Sequence, residues 1–207
     1  MKLTLLGTGN AMATRCYNTC FALRSGAACF LVDAGGGNGV LRQLELAQLP
    51  AESIEGMFIT HGHTDHILGA IWIVRKMAEL MKKGAYAGEF VIRCHQEAAE
   101  MLNAFCKMTL APAQLRYVGN GIRILPISPG GEFEALGMRV RTFDILSTKA
   151  KQFGFAAQLP DGTQLTCLGD EPYTPAADAR AEGSDWLLSE AFCLHADRAR
   201  FHPYEKH

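Results

Sequence analysis

The sequence has almost no net charge, no paired-cysteine motif and no long apolar run. Its 20 Lys+Arg against 21 Asp+Glu leave a formal charge of -1, which excludes a bulk electrostatic pull toward nucleic acid and leaves only a local basic patch open. The 7 cysteines are scattered at positions 16, 20, 29, 94, 106, 167 and 193. None forms a Cys-x-x-Cys pair, and an odd, dispersed set excludes a disulfide framework. That points to a reducing, cytoplasmic setting. Cys29, Cys94, Cys106, Cys167 and Cys193 sit in apolar runs and read as buried thiols. The apolar run after Lys2 breaks at Gly7, too early for a signal peptide, and no stretch has the length to span a bilayer. No internal repeat or low-complexity linker divides the chain. With 207 residues, 48% hydrophobic and 20% charged, it reads as one globular domain over residues 1–207.

Histidine is also scarce, and its distribution is informative. Three of the 7 histidines fall in Phe58-Ile59-Thr60-His61-Gly62-His63-Thr64-Asp65-His66, directly after the apolar run Gly56–Ile59. His61 and His63 are two apart, so on an extended segment they point the same way. Asp65 and His66 are expected on the turn that follows. Imidazole and carboxylate together suit zinc and similar first-row metals. The spacing is not the helical His-Glu-x-x-His of zinc peptidases. Four ligand-type side chains in one loop exceed what a single ion needs from one segment, which suggests two adjacent metals.

Around this loop the pattern is mixed α/β. Lys2–Leu6 reads as a strand ending at Gly7-Thr8-Gly9, and Cys20–Arg24 with Cys29–Val32 as a hairpin that ends at Asp33. A helix is expected over Val40–Leu49, and another over Ile67–Met81, stopped by Lys82-Lys83-Gly84. Glu89–Cys94 reads as a strand and Gln96–Lys107 as a helix, with His95 at their junction as a capping or surface residue. Ala111–Tyr117 reads as irregular and then extended. Ile122–Ile127, Gly131–Ala135 and Met138–Phe143 read as a β-meander, Lys149–Lys151 as a basic step, and Phe153–Leu159 with Gln164–Leu168 as a strand pair across Pro160-Asp161-Gly162. That pair leads to Gly169-Asp170, a carboxylate expected just past a strand end. A short helix over Ala176–Glu182, a last strand over Trp186–Ser189 and a loop over Ala196–His207 complete the pattern.

The run Thr60 to Gly69, Thr-His-x-His-x-Asp-His-x-x-Gly, resembles the signature of the metallo-β-lactamase-fold hydrolases. Leu6-Gly7-Thr8-Gly9 with Asn18, and Ser189-Glu190-Ala191-Phe192, look most like the ribonuclease Z branch. The resemblance implies an αββα sandwich of two sheets flanked by outer helices. It implies one or two divalent ions, zinc or Mn²⁺, held by His61, His63, Asp65, His66 and a bridging Asp170, with Asp65 also orienting the nucleophile. Asp33 would support the loop from behind. The implied activity is a phosphodiesterase acting on RNA or a small-molecule phosphodiester, with no membrane partner and a homodimer left open.

The resemblance fails at three places. The family's mid-chain histidine is missing near Leu146, Ser189 stands where that branch has a histidine, and the final His-Ser-Thr motif is absent, with His207 at or before its start. The chain therefore reads either as cut short or as truly lacking the family's last elements, and the long insertion with which ribonuclease Z grips tRNA is not evident. Two alternatives stay open: a degenerate metal-binding member without phosphodiesterase activity, and a hydrolase of thioesters or lactones on the same fold.

Overall fold

A computed structural model describes residues 1–173, 177–191, 195–197 and 199. Among the described residues, eleven strands form two sheets. The first sheet has the order β1 (Lys2–Gly7), β2 (Cys20–Ser25), β3 (Ala28–Val32), β4 (Ile54–Ile59), β5 (Phe90–Cys94) and β6 (Ile122–Pro126). The second has the order β11 (Trp186–Glu190), β10 (Gln164–Pro172), β9 (Phe153–Gln158), β8 (Met138–Asp144) and β7 (Glu132–Ala135).

Strand alternation makes the layers. Phe21, Leu23, Phe30, Val32 and Phe58 face the second sheet, where they meet Phe133, Val140, Phe153 and Phe155. Phe58 is the pivot, 5.3 Å edge-on to Phe155 and 6.4 Å stacked with Phe133. Their sequence neighbours Cys20, Ala22, Leu31, Met57 and Ile59 point the other way. They pack under helices α1 (Gly39–Leu46), α2 (Thr64–Lys82) and α3 (Gln96–Thr109). A short α4 (Pro112–Leu115) follows α3, and α5 (Asp178–Ala181) lies in the crossover between the parallel strands β10 and β11. Two mixed sheets flanked by helices are the expected αββα sandwich.

Several local readings need correction. The segment at Ala111–Tyr117 is helical at its start, because Pro112 occupies the first turn, where its missing N–H costs nothing. Strand β6 is not part of a meander: it pairs parallel with β5 in the first sheet, and only β7 and β8 form the antiparallel hairpin. Helix α2 begins at Thr64, so Asp65 and His66 lie in its first turn and not on a loop. Asp170 lies inside β10, at an irregularity in the pairing with β11 between Cys167 and Pro172, and not beyond the strand. Cys20, Cys29, Cys94, Cys106 and Cys167 are buried free thiols; Cys193 lies outside the described residues, as do most of Ala196–His207. No described helix is long and apolar enough to cross a membrane.

Candidate metal centre

Strands β3, β4 and β5 run parallel, so their C-terminal ends reach one rim of the first sheet. Val32 pairs with Phe58 and Ile59 with Cys94. Asp33, Thr60-His61 and His95 therefore emerge side by side, where open α/β sheets place ligands. The second sheet joins this rim directly: His61 forms an isolated antiparallel bridge with Gln152, and the Phe153 N–H donates to the Thr60 carbonyl at 3.0 Å.

Asp33 organises the histidines. Its φ is 56°, a left-handed conformation that turns its carboxylate back under the loop after β4. Oδ1 accepts the Thr60 N–H at 2.8 Å, and Oδ2 accepts the Thr60 hydroxyl at 2.7 Å. The Thr60 proton is thereby committed, so its Oγ1 accepts from Nδ1–H of His61 at 2.9 Å. Oδ2 of Asp33 also takes Nδ1–H of His66 at 2.8 Å. Both imidazoles are thus held with Nε2 toward the site, a carboxylate–histidine arrangement typical of metal ligands. Gly69 makes this contact possible. A Cβ there would lie 1.9 Å from the Ala34 carbonyl oxygen, and its N–H donates to Gly35 at 2.8 Å.

The five residues read from the sequence come together. Nε2 of His61 is 3.0 Å from Nδ1 of His63. Oδ2 of Asp170 is 3.9 Å from Nε2 of His61 and 3.8 Å from Nε2 of His66. Oδ2 of Asp65 is 3.7 Å from Nε2 of His66. His61, His63 and Asp170 each offer a donor atom within 4.8 Å of the others. Donors about 2.0–2.2 Å from one tetrahedral ion lie roughly 3.3–3.6 Å apart, so this set would close on a first-row cation by drawing Asp170 inward from its 3.9 Å separation to His61.

The electrostatics agree. Burial first, then the neighbouring imidazoles, hold His61 down to about 2, so its Nε2 keeps a lone pair at any ordinary pH. Burial also pulls His66 down, but Asp33, Asp170 and Asp65 outweigh it and lift the imidazole to about 9. A cation must therefore displace a proton there. Desolvation raises the Asp170 carboxyl, with His66 and Lys149 opposing the rise.

Other positions fall away from the donors or beside them. Leu146 is 76% exposed and left-handed (φ 62°), so the loop after β8 turns outward where the family's histidine would stand. His95 caps α3 by accepting the Ala98 N–H at 3.3 Å. Gly7 and Gly9 serve close packing: a Cβ on Gly7 would lie 2.1 Å from the Asn18 carbonyl oxygen. His207 lies outside the described residues. Residue-type reasoning passed over Gln152. It is fully buried, and its Oε1 accepts the Asp170 N–H at 3.3 Å. Its signal, a lone amide ahead of an aromatic strand, is too weak to read alone. A cavity of about 460 Å³ runs from His66 and Asp170 between the edge strands β1 and β11, with Leu3, Leu5 and Phe21 facing Leu187 and Leu188 and with Ser189 and Glu190 near the donors.

Comparison with known proteins agrees with this fold. The family described as "Anti-Pycsar protein Apyc1" matches residues 1–171. Ribonuclease Z of Methanothermobacter thermautotrophicus is 26% identical over 232 aligned positions, covering 92% of this chain and 74% of that protein. The metallo-β-lactamase-fold protein YhfI of Bacillus subtilis superposes with a TM-score of 0.75 at 18% identity, over 94% of this chain and 73% of its own. Human tRNase Z, short form, superposes with a TM-score of 0.74 at 20% identity, over 98% and 82%. The ribonuclease Z resemblance thus extends along most of the chain, and the family match adds a second branch of the same fold. The chain belongs to the Anti-Pycsar protein Apyc1 family and has the metallo-β-lactamase fold.

Proposed function

We propose that this chain is a metal-dependent phosphodiesterase. One observation carries the reading: a single oxygen, Oδ2 of Asp170, lies between Nε2 of His61 and Nε2 of His66 at 3.9 and 3.8 Å. A carboxylate within reach of both imidazoles would be available to two cations at once. His61, His63 and Asp170 would hold one ion, and Asp65, His66 and Asp170 the other, zinc or Mn²⁺ in either case. Such cations supply Lewis-acid charge that acidifies water and neutralises a phosphoryl group. The protein's own residues do the positioning. Asp33 and Thr60 fix both imidazoles, Asp65 orients the attacking water and accepts its proton, and the cavity beside β11 receives the substrate. The substrate is RNA or a small-molecule phosphodiester, in a cytoplasmic setting; a homodimer remains compatible. Ser189 is too weak an acid to replace an imidazolium at the leaving group.

A second reading, a degenerate member binding one ion without turnover, draws on the loop after β8, where Leu146 points to solvent and no imidazole completes the first ion's ligands. Metal analysis of protein purified without added metal, with hydrolysis of bis(p-nitrophenyl) phosphate and a His61→Ala control, separates the two. Two equivalents and chelator-sensitive hydrolysis support the enzyme. One equivalent without turnover supports the second reading, and no metal under any condition sinks both.

A further inference from the structure

The loop after β8 turns Leu146 outward and then brings Lys149 back against Glu190 on β11. Asp144 pairs with Lys151 and accepts the Leu146 N–H at 2.9 Å, which fixes the outward turn. The chain then doubles back: Oγ of Ser147 accepts the Lys149 N–H at 3.1 Å and Nε2–H of Gln152 at 3.4 Å. Gln152 is tied to both donor-bearing elements, through its bridge to His61 and its bond to the Asp170 N–H. Lys149 is thus held on a segment clamped to the candidate centre.

Its side chain is only 19% exposed, and its charge acts on both His61 and Asp170. Among the described residues its one ionic partner is Glu190, at 3.8 Å, and Oε2 of Glu190 has no hydrogen-bond partner there. A closed charge-assisted pair would sit near about 2.8 Å. This pair is open, and an ammonium carries three donors that a half-buried setting leaves poorly solvated. The neighbouring carboxylates of Asp65, Asp170, Glu171 and Glu190 repel an anionic substrate, and a fixed cation beside Glu190 opposes that repulsion.

We propose that Lys149 is an anion-binding residue, holding a non-bridging oxygen of the substrate's phosphoryl group, with Glu190 as the counter-ion that competes for it when no anion is bound. The proposal rests on the phosphodiesterase reading for its ligand class.

The test is calorimetric titration of the metal-loaded full chain with inorganic phosphate, with hydrolysis of bis(p-nitrophenyl) phosphate measured in parallel. Loss of one charge-assisted contact predicts at least about tenfold weaker phosphate binding for Lys149→Met, with Lys149→Arg restoring most of it and metal content unchanged. Glu190→Gln frees the ammonium and tightens phosphate binding, which keeps the test available should the Met variant fold poorly. A wild-type protein that binds no phosphate, a Met variant that binds as tightly as wild type, or a Glu190→Gln variant that binds no tighter overturns the proposal. Wild-type protein that hydrolyses nothing but binds phosphate through Lys149 overturns the phosphodiesterase reading and leaves the anion site standing.

Discussion

Oδ2 of Asp33 lies 2.8 Å from Nδ1 of His66 and 2.7 Å from the Thr60 hydroxyl, so one oxygen orients two imidazoles: His66 directly, and His61 through Thr60. Asp33→Asn removes the acceptor charge and turns one of these contacts into a donor facing a donor. Partners of this kind are worth about 10–100-fold in metal affinity or activity. We expect the loss at the upper end, because both cation positions depend on the same carboxylate. Competition with a chromophoric chelator measures it, and unchanged affinity would reduce Asp33 to a turn former.

Metal binding should release protons. His66 is lifted to about 9 by its carboxylate neighbours, so at pH 7 a cation must displace a proton from it. Apparent affinity therefore rises with pH up to about 9 and flattens above. Calorimetric titrations in buffers of different ionisation enthalpy count the protons released. A count of zero at pH 7 would show that His66 is already neutral.

The same two histidines set the pH dependence of stability in metal-stripped protein. His66, raised above its unfolded value, contributes stability that is full below about pH 6.5 and lost as pH climbs through about 9. His61, lowered to about 2, contributes stability that is full above about pH 6.5 and lost as pH falls toward that value. The pair therefore favours a maximum near pH 6.5. Thermal unfolding across pH 5–9 tests this, and adding metal should remove the alkaline decline, since a cation replaces the proton on His66.

The parts of this site that the sequence makes legible are those set by short-range pattern. His61 and His63 alternate on one segment, Asp65 and His66 follow within three residues, and the period-two apolar runs mark the strands that carry them. The sequence puts the helix start at Ile67, too late, because Thr64-Asp65-His66 has the composition of a polar loop, and only the tertiary contacts of Asp33 and Gly69 show it as a helical first turn. Strand β6 reads as part of a meander for a related reason: its apolar alternation shows that it is a strand, but its parallel partner β5 lies across α3 in the chain. Gln152 and Lys149 were out of reach because their roles come from the bridge between the sheets, which no local pattern encodes.

Gly69 offers the sharpest test of how the fold places the centre. A Cβ there would sit 1.9 Å from the Ala34 carbonyl oxygen and 2.6 Å from its carbon. Both are backbone atoms, so no side-chain rotation relieves the clash. Gly69→Ala must push the first turns of α2 away from the 33–37 segment. That lengthens the hydrogen bonds from Gly69 to Gly35 and from Ala34 to His66, now 2.8 and 3.0 Å, and draws His66 off Asp33. Overpacking against side chains typically costs about 1–3 kcal/mol; against backbone at this distance we expect roughly 3 kcal/mol or more. Helix propensity alone predicts the opposite sign, a gain of about 1 kcal/mol for Ala over Gly. Denaturant unfolding thus decides between a local and a tertiary account of this glycine. A Gly69→Ala protein that is as stable as wild type and binds metal equally well would mean that α2 does not need to approach the loop this closely for the centre to form.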